Sequence, residues 1–208
     1  MTIMKLNHDT INFATDYCTG KITYIDNPLL ANIIDAYIDD ANSSTLREAI
    51  TANVCGYKWI SEKLGFDAVD ESTEEFKEIK PKRHSKGKFD GGGNFSDLTP
   101  KRIDQFKETE SGMISSYFVD RRLGYVIEFS LFDIIDHIES QVYKKCVVDG
   151  NRYARSTGYN FRHWINSNKL KIHYLNLDLL KEKKCLNKEF EKLLEQKVND
   201  RKLLEQKI

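Results

Sequence analysis

The spacing of apolar residues changes period at Gly65, and that change limits what the chain can fold into. Before it, apolar side chains recur every three or four residues. Leu29, Leu30, Ile33, Ile34, Tyr37 and Ile38 follow Asn27-Pro28, a pair suited to opening a helix. Asn42-Ser43-Ser44-Thr45 is a break that offers N-cap side chains. A second helix is expected from Leu46 to about Leu64, with Gly65 as its stop. Beyond Gly65 short alternating runs take over. Phe66 to Val69 reads as a strand, Asp70 to Thr73 as a turn, and Glu74 to Lys80 as a second strand ended by Pro81.

The same mixture continues. Residues 114–129 read as two strands joined near Asp120–Arg122, and Leu131 to Lys144 as a helix with Ile134, Ile135, Ile138 and Val142 on one face. Lys169 to Leu177 reads as a late strand. From Asp178 onward the chain is charged and helical, with Leu186, Phe190, Leu194, Val198 and Ile208 as a stripe. KLLEQK occurs at 192–197 and 202–207, but two copies do not define a repeat fold. An amphipathic C-terminal helix over 178–208, packed on the body or on a partner, is expected in preference to an independent coiled coil. The 208 residues suit one domain over 1–177 plus that helix, and 11 Phe, 10 Tyr and 2 Trp are enough bulk for a core.

Lys and Arg together number 32 and so do Asp and Glu, so no global field draws the chain to a polyanion or a membrane. Any such affinity must come from local segregation of charge. No apolar run approaches the roughly 20 residues that span a bilayer, and MTIMKLNHDT lacks the apolar stretch of a signal peptide. Cys18, Cys55, Cys146 and Cys185 are far apart and show no CxxC, which suggests reduced thiols and a cytoplasmic location.

The hairpin after Gly65 carries the chemistry. Side chains two apart share one strand face, so Glu78 and Lys80 point the same way while Ile79 points into the core. Asp67 on the preceding strand can face them. Asp70 is the alternative, although it sits where the turn should begin. Two carboxylates suit a hard divalent cation such as Mg²⁺ and leave positions for water and phosphate. Such a cation polarises a phosphodiester and lowers the pKa of bound water. The lysine can orient or activate that water and offset charge on the transition state.

Asp67 followed by Glu78-Ile79-Lys80 resembles the PD-(D/E)xK nuclease superfamily, and small type II restriction endonucleases in particular. The resemblance spans roughly residues 45–130 as a helix followed by strands. It implies an α/β fold with a central mixed β-sheet flanked by helices. It also implies Mg²⁺ held by Asp67 and Glu78, Lys80 positioning the attacking water, and a helix glutamate assisting. Glu48 is the best candidate for that glutamate, with Glu62 as the alternative. Phe66 stands where the family often has proline. The implied reaction yields a 5′-phosphate and a 3′-hydroxyl. Cutting both strands of a palindrome calls for two sites related by a two-fold axis, hence a homodimer. The first helices or the C-terminal helix are the candidate interface.

Two basic stretches fit a DNA partner. Lys80, Lys82, Arg83, His84, Lys86 and Lys88 run into Gly91-Gly92-Gly93, expected to be a flexible loop. Asn94 and Asp97, after the glycines, could approach the active site. Residues 150–177 contain no Asp or Glu, and Arg152, Arg155 and Arg162 are interleaved there with aromatics. Phe161, Trp164 and Ile165 read as core anchors, and the three arginines as DNA contacts. His137 reads as structural, and no GxxxxGK(S/T), GxGxxG, HExxH or GxSxG occurs.

The competing readings are a solvated surface hairpin in a non-catalytic nucleic-acid-binding protein, and another nuclease of the same superfamily acting on branched or damaged DNA. Divalent-dependent cleavage separates the first from the nuclease readings.

Overall fold

In the computed structural model, residues 6–61, 65–109 and 111–205 are described, with side chains described to residue 200. The N-terminal third is helical, as its periodicity demands. Helix α1 spans His8–Thr19 and is capped by Asn7, which accepts from Thr10 N at 2.8 Å. Helix α2 spans Pro28–Asp39, with Asn27 capping and proline in the first turn. Helix α3 spans Thr45–Cys55 and is shorter than its sequence suggests. Gly56 takes φ +75° there, ending the helix in a left-handed cap before Lys58–Trp59 enters the sheet as β1. The expected stop at Gly65 is thus corrected to Gly56; Leu64 lies outside the described residues.

Strands β2 (Ala68–Asp70) and β3 (Glu75–Arg83) form the expected antiparallel hairpin, with Ala68 opposite Lys77. β3 does not stop at Pro81, however. The Ile79 N–H points to the β2 side, where it meets Asp67. Pro81 shares that parity, and β2 pairs no further than Lys77, so the missing N–H costs no ladder bond. Strand β4 (Gly93–Leu98) and helix α4 (Pro100–Glu108) follow. They lead into β5 (Ser111–Val119), which lies parallel to β3. β6 (Arg122–Ser130) returns antiparallel through a two-residue turn in which Asp120 and Arg121 both have positive φ. Helix α5 (Phe132–Tyr143) runs into a π-helical turn at Lys144–Val148, then strand β7 (Ala154–Tyr159) and a 3-10 turn at Phe161–His163. Strand β8 (Lys171–Leu175), helix α6 (Leu177–Lys183) and helix α7 (Lys188–Glu205) complete the described chain. Lys184 in the left-handed region breaks the expected single C-terminal helix into two.

The result is an α/β fold. A mixed six-stranded sheet, ordered β1-β2-β3-β5-β6-β8, is flanked by seven α-helices among the described residues, and β4 and β7 form a separate two-stranded ribbon. One sheet face packs Ile79, Ile114 and Val126 against the N-terminal helices. The other packs Met113, Tyr125 and Phe129 against the helices from α4 to α7. Phe190 and Leu194 of α7 are fully buried there, so the C-terminal helix packs on the body.

The glycine run is core, not a flexible loop. Gly91, Gly92 and Gly93 are buried beneath Phe161, Phe190 and Tyr159. Gly91 has φ +65° and accepts the Trp164 indole N–H at 3.0 Å. A Cβ on Gly92 would meet Tyr159 O at 2.4 Å, so the backbones touch where side chains would part them. Trp164 in turn stacks on Phe129 with 4.9 Å between ring centroids. Phe161, Trp164 and Ile165 are therefore core anchors. No described helix is long and apolar enough to cross a membrane.

Candidate active site

The β2–β3 turn settles the geometry of the two candidate acids. The Asp70 carboxylate accepts from Ser72 N at 3.0 Å and Ser72 Oγ at 2.6 Å, which holds its pKa below the ordinary value. Asp70 thus serves the turn. Asp67 approaches β3 differently. Its N–H donates to Lys77 O at 3.0 Å, and its Oδ2 accepts from Ile79 N at 2.7 Å. Its carboxylate is therefore fixed against the residue between Glu78 and Lys80.

Glu78 is buried and ion-pairs with Lys80, two residues on and on the same strand face. The Lys80 ammonium also lies 4.8 Å from the centroid of the Phe95 ring on β4, a cation–π contact. Ile79 between them is fully buried on the opposite face. Glu48 stands in the first turn of α3 and accepts the Ser44 hydroxyl.

Electrostatics tie the four together. Burial, then the neighbouring Glu78 and Glu48 carboxylates, push the Asp67 carboxyl up to about 7 against the pull of Lys80 and the Ile79 N–H. Burial opposes the charge of Lys80, but Glu78, Asp67 and Glu48 more than offset it and hold the ammonium above the ordinary lysine range. Lys80 is thus a fixed cation at neutral pH, suited to orienting a water and not to deprotonating it.

The site borders a cleft of about 750 Å³. Residues 79–83 of β3 line its floor. Ser44 of the α2–α3 turn with Arg47 and Glu48 of α3 makes one wall, and Asn94, Ser96 and Ser156 of the β4–β7 ribbon make the other. A second cavity, about 420 Å³, shares Lys80 and adds Glu78, Asp97, Lys101 and Arg102. Asp97 takes φ +55°, a conformation Asp tolerates better than most residues.

Of the expected DNA contacts, Lys82 and Arg83 line the cleft. Burial, together with Lys80 and Arg47, lowers the pKa of Lys82. Lys86 lies in the exposed turn beyond. Arg152 and Arg155 are exposed at the start of the ribbon. Arg162 is the exception: it ion-pairs with Glu189 of α7 and lies over the Phe161 ring, so its charge is already matched. His137 stacks on His163 at 4.0 Å between ring centroids. Glu62 lies outside the described residues.

Sequence reasoning missed Arg47. It is buried and donates to Asp40 O at 2.9 Å and Ser43 O at 2.8 Å, pinning the turn that walls the cleft. An arginine among helical residues carries no signal of that role, because arginine is ordinarily solvated.

Whether these residues suit a divalent cation can be judged from their charges. The carboxylates of Glu48, Asp67 and Glu78 gather about the Lys80 ammonium, and burial first, then the neighbouring carboxylates, raise the Asp67 pKa. A divalent cation would relieve both the burial and the repulsion. Among the described residues, no group of three or more His, Cys, Asp and Glu side chains forms a ready metal cage. Mg²⁺ needs none, since it is commonly held by one or two carboxylates with water and phosphate completing its shell. Asp67 and Glu78 fit that donor set. Neither a protein-family model nor a curated protein matches the chain.

Proposed function

We propose that this protein is a Mg²⁺-dependent DNA endonuclease of the PD-(D/E)xK kind, acting as a type II restriction enzyme on double-stranded DNA. One observation carries the reading. Glu48 on α3, Asp67 ahead of β2, and Glu78 and Lys80 on β3 come from three segments, yet all four enter one electrostatic neighbourhood beside a cleft lined by Lys82 and Arg83.

In this reading Asp67 and Glu78 hold the cation, which supplies a polarised phosphodiester and a more acidic bound water. Lys80 exchanges its pairing with Glu78 for the attacking water and a phosphoryl oxygen, and keeps its proton. The water oxygen forms a bond to phosphorus as it sheds a proton, the bond from phosphorus to the 3′ oxygen breaks, and the 3′ oxygen takes a proton from a second, solvent water to leave as a hydroxyl, the hydroxide so formed neutralising the proton shed. Glu48, in the first turn of α3 beside the cleft, takes the proton shed by water in this reading. Lys82 and Arg83 hold flanking phosphates. Two copies acting on opposite strands would make a double-strand break.

The test is a digest of unmethylated phage DNA at low salt, with Mg²⁺ or EDTA, beside Lys80→Ala. Discrete fragments that need Mg²⁺ and vanish in the variant support the reading. Metal-dependent smearing replaces it with a nuclease lacking sequence choice. DNA that shifts on a gel yet stays intact, in branched and modified forms too, replaces it with a binding protein.

A further inference from the structure

Between α5 and β7 the chain builds a knob whose surface the proposed catalytic site does not use. Tyr143, Val147, Val148 and Tyr153 are 58, 55, 67 and 41 % exposed. Soluble chains seldom place four large apolar side chains on one short surface segment without something to cover them. The knob is also held in shape. Its π-helical turn spans Lys144–Val148, and Asp149 N donates to Lys144 O at 2.9 Å. Asn151 N and Asn151 Nδ2 each donate to Lys145 O at 3.0 Å, and the Lys145 ammonium bonds Ser156 O. Such π-turns recur at functional sites. The apolar exposure belongs to a fixed surface.

Charge says what covers it. Between Tyr143 and Ser156 the segment carries the exposed cations Lys144, Arg152 and Arg155, and Lys145 bonded to Ser156 O, against Asp149 alone. A second copy seated on this face would set one positive surface against another, which association disfavours. A polyanion is attracted. The knob also adjoins the cleft, because Ser156 lines the cleft three residues after Tyr153.

We infer that this knob is the base-reading element of the protein. Val147 and Val148 seat against the C5-methyl groups of thymine in the major groove, while Lys144, Arg152 and Arg155 hold the flanking phosphates. The inference rests on the nuclease reading for its partner, but concerns base choice and not cleavage.

It is tested by binding in EDTA, where no DNA is cut. Phage DNA fragments made with thymine compete with the same fragments made with uracil, which differ only by that methyl. The native protein should prefer the thymine form by about fourfold or more, the worth of one methyl leaving water. Val147→Ser/Val148→Ser should lose the preference and bind uracil DNA as tightly as the native protein does. Both residues are exposed, so an unchanged circular dichroism spectrum is expected and confirms that the fold survives.

Val147→Thr/Val148→Thr, which keeps two methyls, should retain part of the preference. No preference in the native protein, or an equal one in the serine variant, overturns the inference while leaving Mg²⁺-dependent cleavage to stand. A serine variant that changes sedimentation behaviour overturns it in favour of a contact between copies. No DNA binding at any salt overturns both the inference and the nuclease reading.

Discussion

The carboxylate of Asp67 accepts the backbone N–H of Ile79 at 2.7 Å, so the first acid is tied to the strand that carries the other two charged groups. Ile79 itself is buried in the opposite layer. A residue that stabilises the sheet thereby fixes the acid against Glu78 and Lys80. The arrangement needs only a short hairpin of correct parity, and it leaves the buried Glu78 and half-buried Asp67 carboxylates beside one ammonium.

Burial, together with that imbalance, gives the site a pH signature. The Asp67 carboxyl is pushed up from 3.8 to about 7. An acid with a raised pKa binds its proton more tightly in the folded state than in the unfolded one. Its destabilising effect therefore grows as pH rises from about 4 to about 7, by up to about 1.4 kcal/mol per pH unit. In EDTA, Asp67→Asn should match the native protein at pH 4 and exceed it in melting temperature at pH 8. Cleavage at limiting Mg²⁺ should fall as pH drops through about 7, and added Mg²⁺ should move that midpoint lower. A flat stability difference between pH 4 and pH 8 contradicts the assignment.

Lys80 is the cation opposing those acids. Its removal should lower cleavage about 10²- to 10³-fold, in the range of losing one charge-stabilising donor. Asp67 would lose its one attractive ammonium, so the acid limb of any residual activity should move above pH 7 in Lys80→Ala. DNA binding in EDTA should persist through Lys82 and Arg83. Rate profiles and gel shifts on the same variant separate these effects.

A second buried charge cluster lies on the other sheet face. Lys77 is fully buried and reaches Glu128 at 2.6 Å and Glu75 at 2.8 Å. Glu128 also accepts from Tyr57 Oη at 2.7 Å and pairs with His173 Nε2 at 2.7 Å. Burial raises the Glu128 pKa, but the bonds from His173, Lys77 and Tyr57 outweigh it and bring the carboxyl down to about 2. A carboxylate with a lowered pKa contributes stability above its ordinary 4.5 that is lost as pH falls toward about 2. Glu128→Gln should cost about 3 to 5 kcal/mol at pH 7, since Lys77 then loses its buried partner. Urea midpoints should show that gap shrinking between pH 4.5 and pH 2.

What the sequence disclosed was local. Asn27-Pro28 marks a helix start because capping is a neighbour effect, and the parity of Glu78, Ile79 and Lys80 follows from strand geometry alone. Asp67 could be preferred to Asp70 on the same ground. What stayed hidden was non-local. Residues 93–98 pair with residues 154–159 across some sixty positions, so nothing near Gly91-Gly92-Gly93 says that aromatic side chains cover it. Pro81 read as a strand end because its open N–H side depends on where β2 stops. Arg162 read as free because its partner, Glu189, lies on a helix that folds back from the C-terminus.

The ribbon offers the last test, because it joins the core to the cleft through backbone contact. At Gly92 an added Cβ would stand 2.4 Å from Tyr159 O and 2.9 Å from Asp90 Oδ1. Neither is the yielding end of a long side chain, so the backbone itself must shift. Tyr159 is the β7 partner of Gly93, and the same ribbon presents Asn94, Ser96 and Ser156 to the cleft and Phe95 to the Lys80 ammonium. Gly92→Ala should therefore destabilise the protein by about 1 to 3 kcal/mol, the usual cost of overpacking. It should also weaken cleavage at temperatures where the fold is intact, because Phe95 moves away from Lys80. Gly87→Ala is the control for a glycine outside the core: a Cβ there meets nothing within 4 Å, and only its φ of +79° is strained. It should cost about 1 kcal/mol and leave cleavage unchanged. Equal losses of activity in the two variants would detach the ribbon from the site.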